Sequence, residues 1–377
     1  MNKIEYPDDI ISFENEYYDI IPKHNEAYIN YILNKLPLTF PRITFRTLLL
    51  FTFDDILNHL DIIEKNLLPI LSYIEKKKFL EQFEYDSYQS HIASFFMNHT
   101  IEMNMKTCYY CNIEFINTFE DIGEYENNLD FLVNGTLAEL KKYIGPERGD
   151  LIYKYLELNT ITKVEDISII KGIGKKTIIL INNLQNKIKA FKNHFTLDHF
   201  VPKGKYPYIA LSLYNLVPSC SSCNSKFKKE KQYEIGEYLK YISPTSRQFD
   251  LHNHIEFKLY FKASSTSIQE KITKTNDLDD FSVRPEIATT LDKKSQNFLD
   301  IFKIRGRYRF HKYQSMHLIK KRQIYSDSAI QEISKITGKS CLEIKKDIFG
   351  TIMFNNLEIN EPLAKYKKDI GRQIGLF

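Results

Sequence analysis

Residues 195–229 read FTLDHFVPKGKYPYIALSLYNLVPSCSSCNSKFKK, and the predicted fold depends on this stretch. Asp198 and His199 are adjacent near the end of a predicted short strand. Asn215 lies 16 residues after His199, and Asn224 directly follows a Cys-Ser-Ser-Cys sequence and opens a lysine-rich helix. One short segment therefore contains a carboxylate, an imidazole and two amides, between a predicted strand and a predicted helix.

These side chains match what the hydrolysis of a phosphodiester requires. The attacking water must lose a proton near neutral pH, and His199 is the natural general base. The phosphate and the leaving oxygen need a hard divalent cation, to which Asp198 and Asn224 offer oxygen ligands. Asn215 is suited to hydrogen-bond the backbone or the imidazole and so to orient His199. Because neighbouring residues of a strand face opposite sides, the strand must end or bend at His199.

Four of the five cysteines form two Cys-x-x-Cys pairs, Cys108 with Cys111 and Cys220 with Cys223. In an intracellular chain such pairs predict a tetrahedral zinc site before a disulfide. Two thiolates on one tight turn reach an ion about 2.3 Å away, and a second turn completes the four ligands. The 108 residues between the pairs require a folded insert. The alternative is four unrelated buried cysteines; the fifth, Cys341, is predicted to be a helical core residue.

The charge distribution points to a polyanionic partner. The net charge is only +4, but the segment from Lys171 to Lys231 holds 12 basic and 2 acidic residues. A block of this density predicts a nucleic-acid surface, and the alternative is a solvated lysine-rich surface. Several lysines beside the candidate site are suited to position phosphates without base specificity. They are Lys203, Lys205, Lys226 and Lys228.

Residues 164–184 read VEDISIIKGIGKKTIILINNL, with an apolar helical pattern on each side of a Gly-Ile-Gly sequence. The segment resembles the helix-hairpin-helix family, which implies non-specific binding of a nucleic-acid backbone. Glycine permits a tight turn, N–H groups at the start of the second helix can face a phosphate, and lysines add positive charge. The alternative is an ordinary helical hairpin whose glycines allow close packing. The predicted contact residues are Gly172, Gly174, Lys175 and Lys176.

The site residues, taken together with the two cysteine pairs, resemble the HNH, or ββα-metal, nucleases. The likeness is greater to bacterial HNH endonucleases with two zinc-binding cysteine knuckles. It implies that His199 is the general base, that Asp198 and Asn224 hold Mg²⁺ or Mn²⁺, and that Asn215 stabilises the loop between them. It also implies that the four paired cysteines hold a structural zinc ion. Such relatives often occur in anti-phage defence systems of the Septu or retron-associated type, sometimes beside a partner ATPase.

The predicted fold class is α+β and mostly helical, with a ββα-metal core stapled by the cysteines. Of the 377 residues, 43% are hydrophobic and 27% charged, which is typical of a globular protein. The predicted regions are a helical N-terminal region (1–106), a nuclease core (107–262) with an insert at about 120–190, and a helical C-terminal region (263–377). Residues 255–261 are predicted as a strand and residues 264–275 as a loop.

No run of about 18 apolar residues predicts a membrane span, and no signal segment is found, so a cytoplasmic location without membrane contact is expected. The expected function is cleavage of DNA. Two alternatives stay open: a zinc-stapled nucleic-acid-binding or scaffold module without hydrolysis, and an HNH nuclease that acts on RNA. The helical flanking regions are expected either to pack around the core or to dock a partner or a second copy of the chain.

Overall fold

The fold is α+β and mostly helical in a computed structural model of the chain. The residues that the model describes are 1–120, 125–184, 191–229, 231–288, 293–354 and 360–377. Contacts divide the chain into two compact units, of which the first comprises Met1–Ile116 with Phe195–Phe377 and the second Asn117–His194. None of the described helices is long and apolar enough to cross a membrane.

The first unit is built around one apolar core. This core takes side chains from the N-terminal helices, from both cysteine pairs and from the C-terminal helices. The predicted boundaries at residues 106 and 262 therefore fall inside this unit, whereas the predicted insert at about 120–190 falls inside the second unit. Parts of that insert lie outside the described residues.

The N-terminal region is helical, as its apolar spacing predicts. Its α-helices are α1 (Ile10–Ile20), α2 (Glu26–Leu33), α3 (Phe45–Leu50), α4 (Phe53–Ile62), α5 (Tyr73–Glu81) and α6 (Gln89–Asn98). Capping boxes begin several of them: at the start of α4 the Thr52 hydroxyl accepts from the Asp55 N–H, and the Asp55 carboxylate accepts from the Thr52 N–H. These helices begin where the sequence supplies such caps.

The described strands form three antiparallel pairs. They are β1 (Thr118–Glu120) with β2 (Phe191–Asn193), β3 (Thr196–His199) with β4 (Leu216–Ser219), and β5 (Ile255–Phe261) with β6 (Phe281–Ile287). In the second pair Asp198 lies opposite Val217 and His199 opposite Leu216, and β3 ends at His199. A short helix with π-type hydrogen bonds, Ser222–Lys228, follows β4 directly. A strand pair and a helix therefore follow one another through the candidate site.

The loop between β3 and β4 is held by the N-terminal helices. Tyr17 of α1 donates its hydroxyl hydrogen to the carbonyl of Leu211 at 2.8 Å. Ser212 donates to the carbonyl of Leu48 in α3 at 2.7 Å. All four residues are buried, so both bonds form away from water and fix the loop against the helical region.

The C-terminal part contains eight further described α-helices. The helices α7–α10 belong to the second unit and lie between Asn128 and Asn182 in the chain. The C-terminal helices are α11 (Leu239–Ile242), α12 (Ile268–Thr273), α13 (Lys293–Ile301), α14 (Ile304–Phe310), α15 (Lys312–Ile324), α16 (Asp327–Thr337), α17 (Cys341–Phe349) and α18 (Ala364–Gln373). Cys341 opens α17 and packs half-buried against the core.

The strand predicted at residues 255–261 is confirmed as β5, but the loop predicted at residues 264–275 is wrong in part. Residues predicted as a loop contain α12, because Ser267 caps a helix whose Ile272 enters the core. The C-terminal region, predicted only as helical, also contains the strand β6, in which Phe281 and Val283 alternate with exposed or half-buried residues. The period of two was present in the sequence but lay beside a longer helical pattern.

The second unit has its own apolar core. Its α-helices are α7 (Asn128–Asn134), α8 (Leu137–Ile144), α9 (Pro146–Leu156) and α10 (Lys175–Asn182). The first half of the predicted helical hairpin is a 3₁₀ helix, Val164–Ile169, rather than an α-helix. Gly172 has a φ of +99° and Gly174 precedes α10, so the turn lies where the sequence predicts it.

Candidate metal centre and active-site cleft

The four paired cysteines come together in the first unit. Cys108, Cys111, Cys220 and Cys223 are buried, and their sulfur atoms all lie within 4.8 Å of one another. The Cys111 and Cys220 sulfurs are 4.0 Å apart. In a tetrahedral site with zinc–sulfur bonds of about 2.3 Å, neighbouring sulfurs are about 3.8 Å apart. The cluster therefore has the donor set and the spacing to hold a zinc ion, and the prediction that the two pairs meet is confirmed.

A cation from a distant part of the chain neutralises this cluster. Arg307 of α14 donates to the sulfur of Cys223 at 3.0 Å and to the sulfur of Cys111 at 3.3 Å. The same guanidinium also pairs with Glu114 at 2.7 Å. Four thiolates around a divalent ion carry a net charge of about −2, and Arg307 offsets part of that charge inside a low-dielectric region.

The thiols themselves favour a bound cation. Burial raises the pKa of Cys108 and Cys223 well above the ordinary value. Burial opposes ionisation of Cys111 too, but hydrogen bonds from the other three cysteines and the charge of Arg307 lower its pKa well below the ordinary value. Four buried thiols cannot all ionise without a compensating charge, so a divalent cation is the partner that suits the donor set.

Asp198 is held by two buried partners, one from inside the first cysteine pair and one from the helix that contains Cys223. Tyr110, which lies between the first two cysteines, donates its hydroxyl hydrogen to Oδ2 of Asp198. Lys228 places its Nζ 2.5 Å from the same oxygen. Burial raises the pKa of Tyr110 well above its ordinary value, so the phenol stays a donor. Within the described chain Oδ1 of Asp198 has no hydrogen bond, which leaves this oxygen for another ligand.

His199 is oriented by the backbone of the loop after β3. Its Nε2 lies 2.8 Å from the carbonyl oxygen of Ala210. A carbonyl can only accept, so Nε2 carries the hydrogen and Nδ1 keeps its lone pair. Burial lowers the pKa of His199 to about 3, and the charges of Lys203 and Lys228 act in the same direction. The imidazole is therefore neutral at neutral pH, the form that can take a proton from water.

Asn215 bonds to the loop backbone and not to the imidazole. The side chain is fully buried; it accepts from the N–H of Val201 at 2.8 Å and donates to the carbonyls of Val201 and Ile209 at 3.0 and 3.3 Å. Ile209 precedes Ala210, whose carbonyl holds His199. Asn215 thus stabilises the loop segment that orients the imidazole.

Asn224 directly follows Cys223 in the first turn of the helix Ser222–Lys228. Its Nδ2 donates to the carbonyl of Leu197 in β3 at 3.5 Å, which turns the amide towards the strand that carries Asp198. Its backbone N–H bonds to the carbonyl of Cys220 at 3.1 Å, so the cysteine turn sets the position of this residue. No hydrogen bond to Oδ1 of Asn224 is found among the described residues.

Asp198, His199 and Asn224 line one open cleft of about 390 Å³. Asp86 also lines it and pairs with Lys203 at 2.9 Å, and hydrogen bonding to Lys203 lowers the pKa of this carboxyl. The ring of Tyr85 packs edge-on against His199 with the ring centres 4.6 Å apart. The N-terminal helical region therefore contributes one wall of the cleft.

The predicted nucleic-acid lysines do not share one environment. Lys203, Lys205 and Lys226 are exposed, and Lys203 belongs to the cleft wall. Lys228 is only 2% exposed and points at Asp198. In the second unit Gly172, Gly174, Lys175 and Lys176 are all exposed around the turn and the start of α10. Their predicted contacts with nucleic acid stay predictions.

Several functional contacts had no local signal in the sequence. Tyr110 contacts Asp198, which lies 88 residues further along the chain. Arg307 contacts the sulfur of Cys223, which lies 84 residues before it. Tyr85 and Asp86 come from the N-terminal region, which carries no recognisable motif. The sequence indicates only that Tyr110 lies between Cys108 and Cys111 and is therefore close to the cysteine cluster.

Comparison of the chain with protein families, with curated proteins and with solved structures finds no match.

Proposed function

We propose that this chain is a divalent-metal-dependent endonuclease of the HNH type that hydrolyses phosphodiester bonds in DNA. The observation that supports this most is the convergence of Asp198, His199 and Asn224 on one cleft. Each of these side chains has one end tied to protein and the other end unengaged, which is the arrangement that a preorganised site needs.

The donor set of the cleft fits a hard divalent cation. Among the described residues, no hydrogen bond is made to Oδ1 of Asp198 or to the amide oxygen of Asn224. Mg²⁺ is commonly held by one or two protein ligands together with substrate phosphate oxygens and water. A Mg²⁺ or Mn²⁺ ion bound there would neutralise charge on the scissile phosphate and on the leaving oxygen.

The remaining chemistry belongs to His199. Its Nδ1 accepts the proton of the attacking water, while Nε2 keeps its hydrogen and donates it to the carbonyl oxygen of Ala210. An anionic phosphate in the cleft raises the pKa of the imidazole, because negative charge stabilises the protonated ring. Lys203 and Lys229, both exposed on the cleft wall, are suited to hold the phosphate backbone.

The cysteine cluster is proposed to bind zinc as a structural ion. Each cysteine turn positions one part of the cleft: the first supplies Tyr110 to Asp198, and the second precedes Asn224. A metal ion bound by both turns would therefore fix the position of Asp198 relative to that of Asn224. The helix-hairpin-helix-like segment of the second unit is proposed as a separate contact to the nucleic-acid backbone. An anti-phage role with a partner ATPase is proposed from the family resemblance alone.

A plasmid-nicking assay tests the proposal, with Mg²⁺ or Mn²⁺ added and with EDTA as the control. His199→Ala should reduce cleavage by at least about 100-fold, the usual effect of losing a general base. His24→Ala, which changes an exposed histidine of the same unit, should cut like the wild type. Zinc content and circular dichroism should be unchanged in both variants.

Three outcomes would redirect the proposal. Cleavage by His199→Ala at the wild-type rate would show that another group is the base. Binding without cleavage under every metal condition would favour the zinc-stapled binding module. Parallel assays on labelled DNA and RNA distinguish the substrates, and cleavage of RNA alone would move the proposal to an RNA nuclease.

A further inference from the structure

A second basic cleft lies in the first unit, away from the residues that line the candidate active site. It has a volume of about 450 Å³ and is open to solvent. Its charged lining residues are Arg284, Arg305, Arg309 and Lys312, and no acidic residue is found among the described residues that line it. Four cations without an acid is an unusual composition for a surface that has no anionic partner.

Three secondary-structure elements bring these cations together. Arg284 lies on β6, Arg305 and Arg309 on α14, and Lys312 at the start of α15. Arg305 and Arg309 are four residues apart and therefore share one face of α14. Arg307 lies between them and points to the opposite face, where it contacts the cysteine sulfurs. One helix thus has one face on the metal centre and the other on the basic cleft.

The two arginines of α14 have no acidic partner among the described residues. In the described part of the chain, no ion pair or hydrogen bond engages the charged groups of Arg305 and Arg309, which are exposed. Arg284 lies over the ring of Tyr260 at 5.6 Å and Lys312 over the ring of Phe281 at 4.7 Å, and the charge of Lys312 also acts on Asp280. Like charges held close together repel one another, so an anion that binds between them relieves an unfavourable arrangement.

Nearby acids are already engaged elsewhere. Glu286 on β6 pairs with Lys258 at 2.7 Å, and Glu256 lies 3.7 Å from the same lysine. Asp280 accepts from the backbone N–H groups of Asn276 and Asp277, and these bonds lower its pKa most, with smaller contributions from the charges of Lys262 and Lys312. The positive potential of the cleft is therefore left for an external partner.

We propose that this basic cleft binds the sugar–phosphate backbone of the nucleic acid on which the chain acts. The inference rests on the proposed function for the identity of the substrate. Charge complementarity supports a phosphate backbone: the cations are spread over three elements along an open surface, which suits several successive phosphates. Gly306 also lines the cleft, and a side chain there would meet nothing within 4 Å, so the surface is open between the two arginines.

The test is the salt dependence of DNA binding. Fluorescence anisotropy of a labelled duplex is measured over a range of salt concentrations, in buffer without added divalent cation. The double variant Arg305→Gln/Arg309→Gln should reduce the slope of log Kobs against log salt by about 2, because about two phosphate contacts are lost. Arg305→Lys/Arg309→Lys should keep most of the slope, because the charges remain.

A matched control changes the same net charge elsewhere in the unit. Lys76→Gln/Lys77→Gln alters two exposed cations of α5 that do not line the cleft, and its slope should equal that of the wild type. Circular dichroism confirms folding of every variant. If the arginine variant has the slope and affinity of the control, the proposal is overturned.

Two further measurements distinguish this inference from the proposed nuclease function and from a site for a small phosphate ligand. In the nicking assay the arginine variant should raise KM and leave kcat unchanged, since the cleft only holds the backbone. Should the wild type prove unable to cut any nucleic acid while the slope still falls by about 2, the cleft stands and the proposed function fails. Loss of inorganic-phosphate binding with unchanged DNA binding would instead assign the cleft to a small phosphate ligand and overturn the proposal.

Discussion

Replacing Lys228 with methionine removes the buried ammonium that holds Asp198. In the folded chain this ammonium has three acceptors: Oδ2 of Asp198 at 2.5 Å, the carbonyl of His199, and the carbonyl of Phe200 at 3.5 Å. The Lys228 and Asp198 side chains are only 3% and 7% exposed. Lys228→Met therefore leaves a mostly buried carboxylate and two backbone carbonyls without this donor.

Breaking a buried ion pair from one side costs about 3–5 kcal/mol, because the remaining charge loses its compensation. That cost is a large fraction of the about 5–15 kcal/mol that stabilises a typical protein. Asp198→Asn should also destabilise the first unit, since it strands the ammonium. The double variant should be more stable than the sum of the two single costs predicts, because it removes both charges.

Urea unfolding followed by circular dichroism measures these free energies of unfolding. Repeating it with Mg²⁺ shows whether the ion binds the folded variants. If Asp198 is a ligand of the catalytic ion, Mg²⁺ should stabilise Lys228→Met by up to about 2.7 kcal/mol at 100 times its Kd. The double variant should lose this effect because it lacks the carboxylate. Lys226→Met changes an exposed lysine of the same helix, and its stability should stay within about 0.5 kcal/mol of the wild type.

The reasoning is refuted if Lys228→Met unfolds at the same urea concentration as Lys226→Met, since Lys228 would then not be buried against Asp198. A clear loss of stability with no response to Mg²⁺ would keep the ion pair but remove Asp198 from the proposed metal site.

Asn215→Ala should destabilise the first unit by about 1–3 kcal/mol, because the N–H of Val201 loses its buried acceptor; an unchanged urea midpoint would contradict this. Tyr110→Phe should cost about 1.5–3 kcal/mol for a hydrogen bond to a charged group, with zinc content retained, as unfolding and metal analysis would show. Arg307→Met should weaken zinc retention by about 10–100-fold against a competing chelator, and equal release rates would argue against its role at the sulfurs. Cys220→Ser should lose the metal and its cooperative unfolding; a zinc-free, fully active protein is the result that rules this out.

Local patterns were enough for much of the fold. The i, i+3, i+4 spacing of apolar residues predicts the N-terminal helices, and the alternation of residues 255–261 predicts β5. Two Cys-x-x-Cys turns predict a four-sulfur cluster, because each turn can present only two thiolates and the ion needs four. The strand β6 was not predicted, because its alternation of buried and exposed residues is short. The helix α12 was not predicted, because its sequence is mostly polar and only a capping serine and one buried isoleucine mark it.

The amino-acid sequence by itself determined which side chains are available for chemistry: four thiols in two turns, and Asp198, His199, Asn215 and Asn224 in one segment. Only the tertiary structure decided what those groups touch. Tyr110 and Lys228 reach Asp198, and the carbonyl of Ala210 reaches His199, through contacts across the chain. Such contacts depend on which side chains the shared core buries, and burial is a property of the packed chain that no short window of sequence contains.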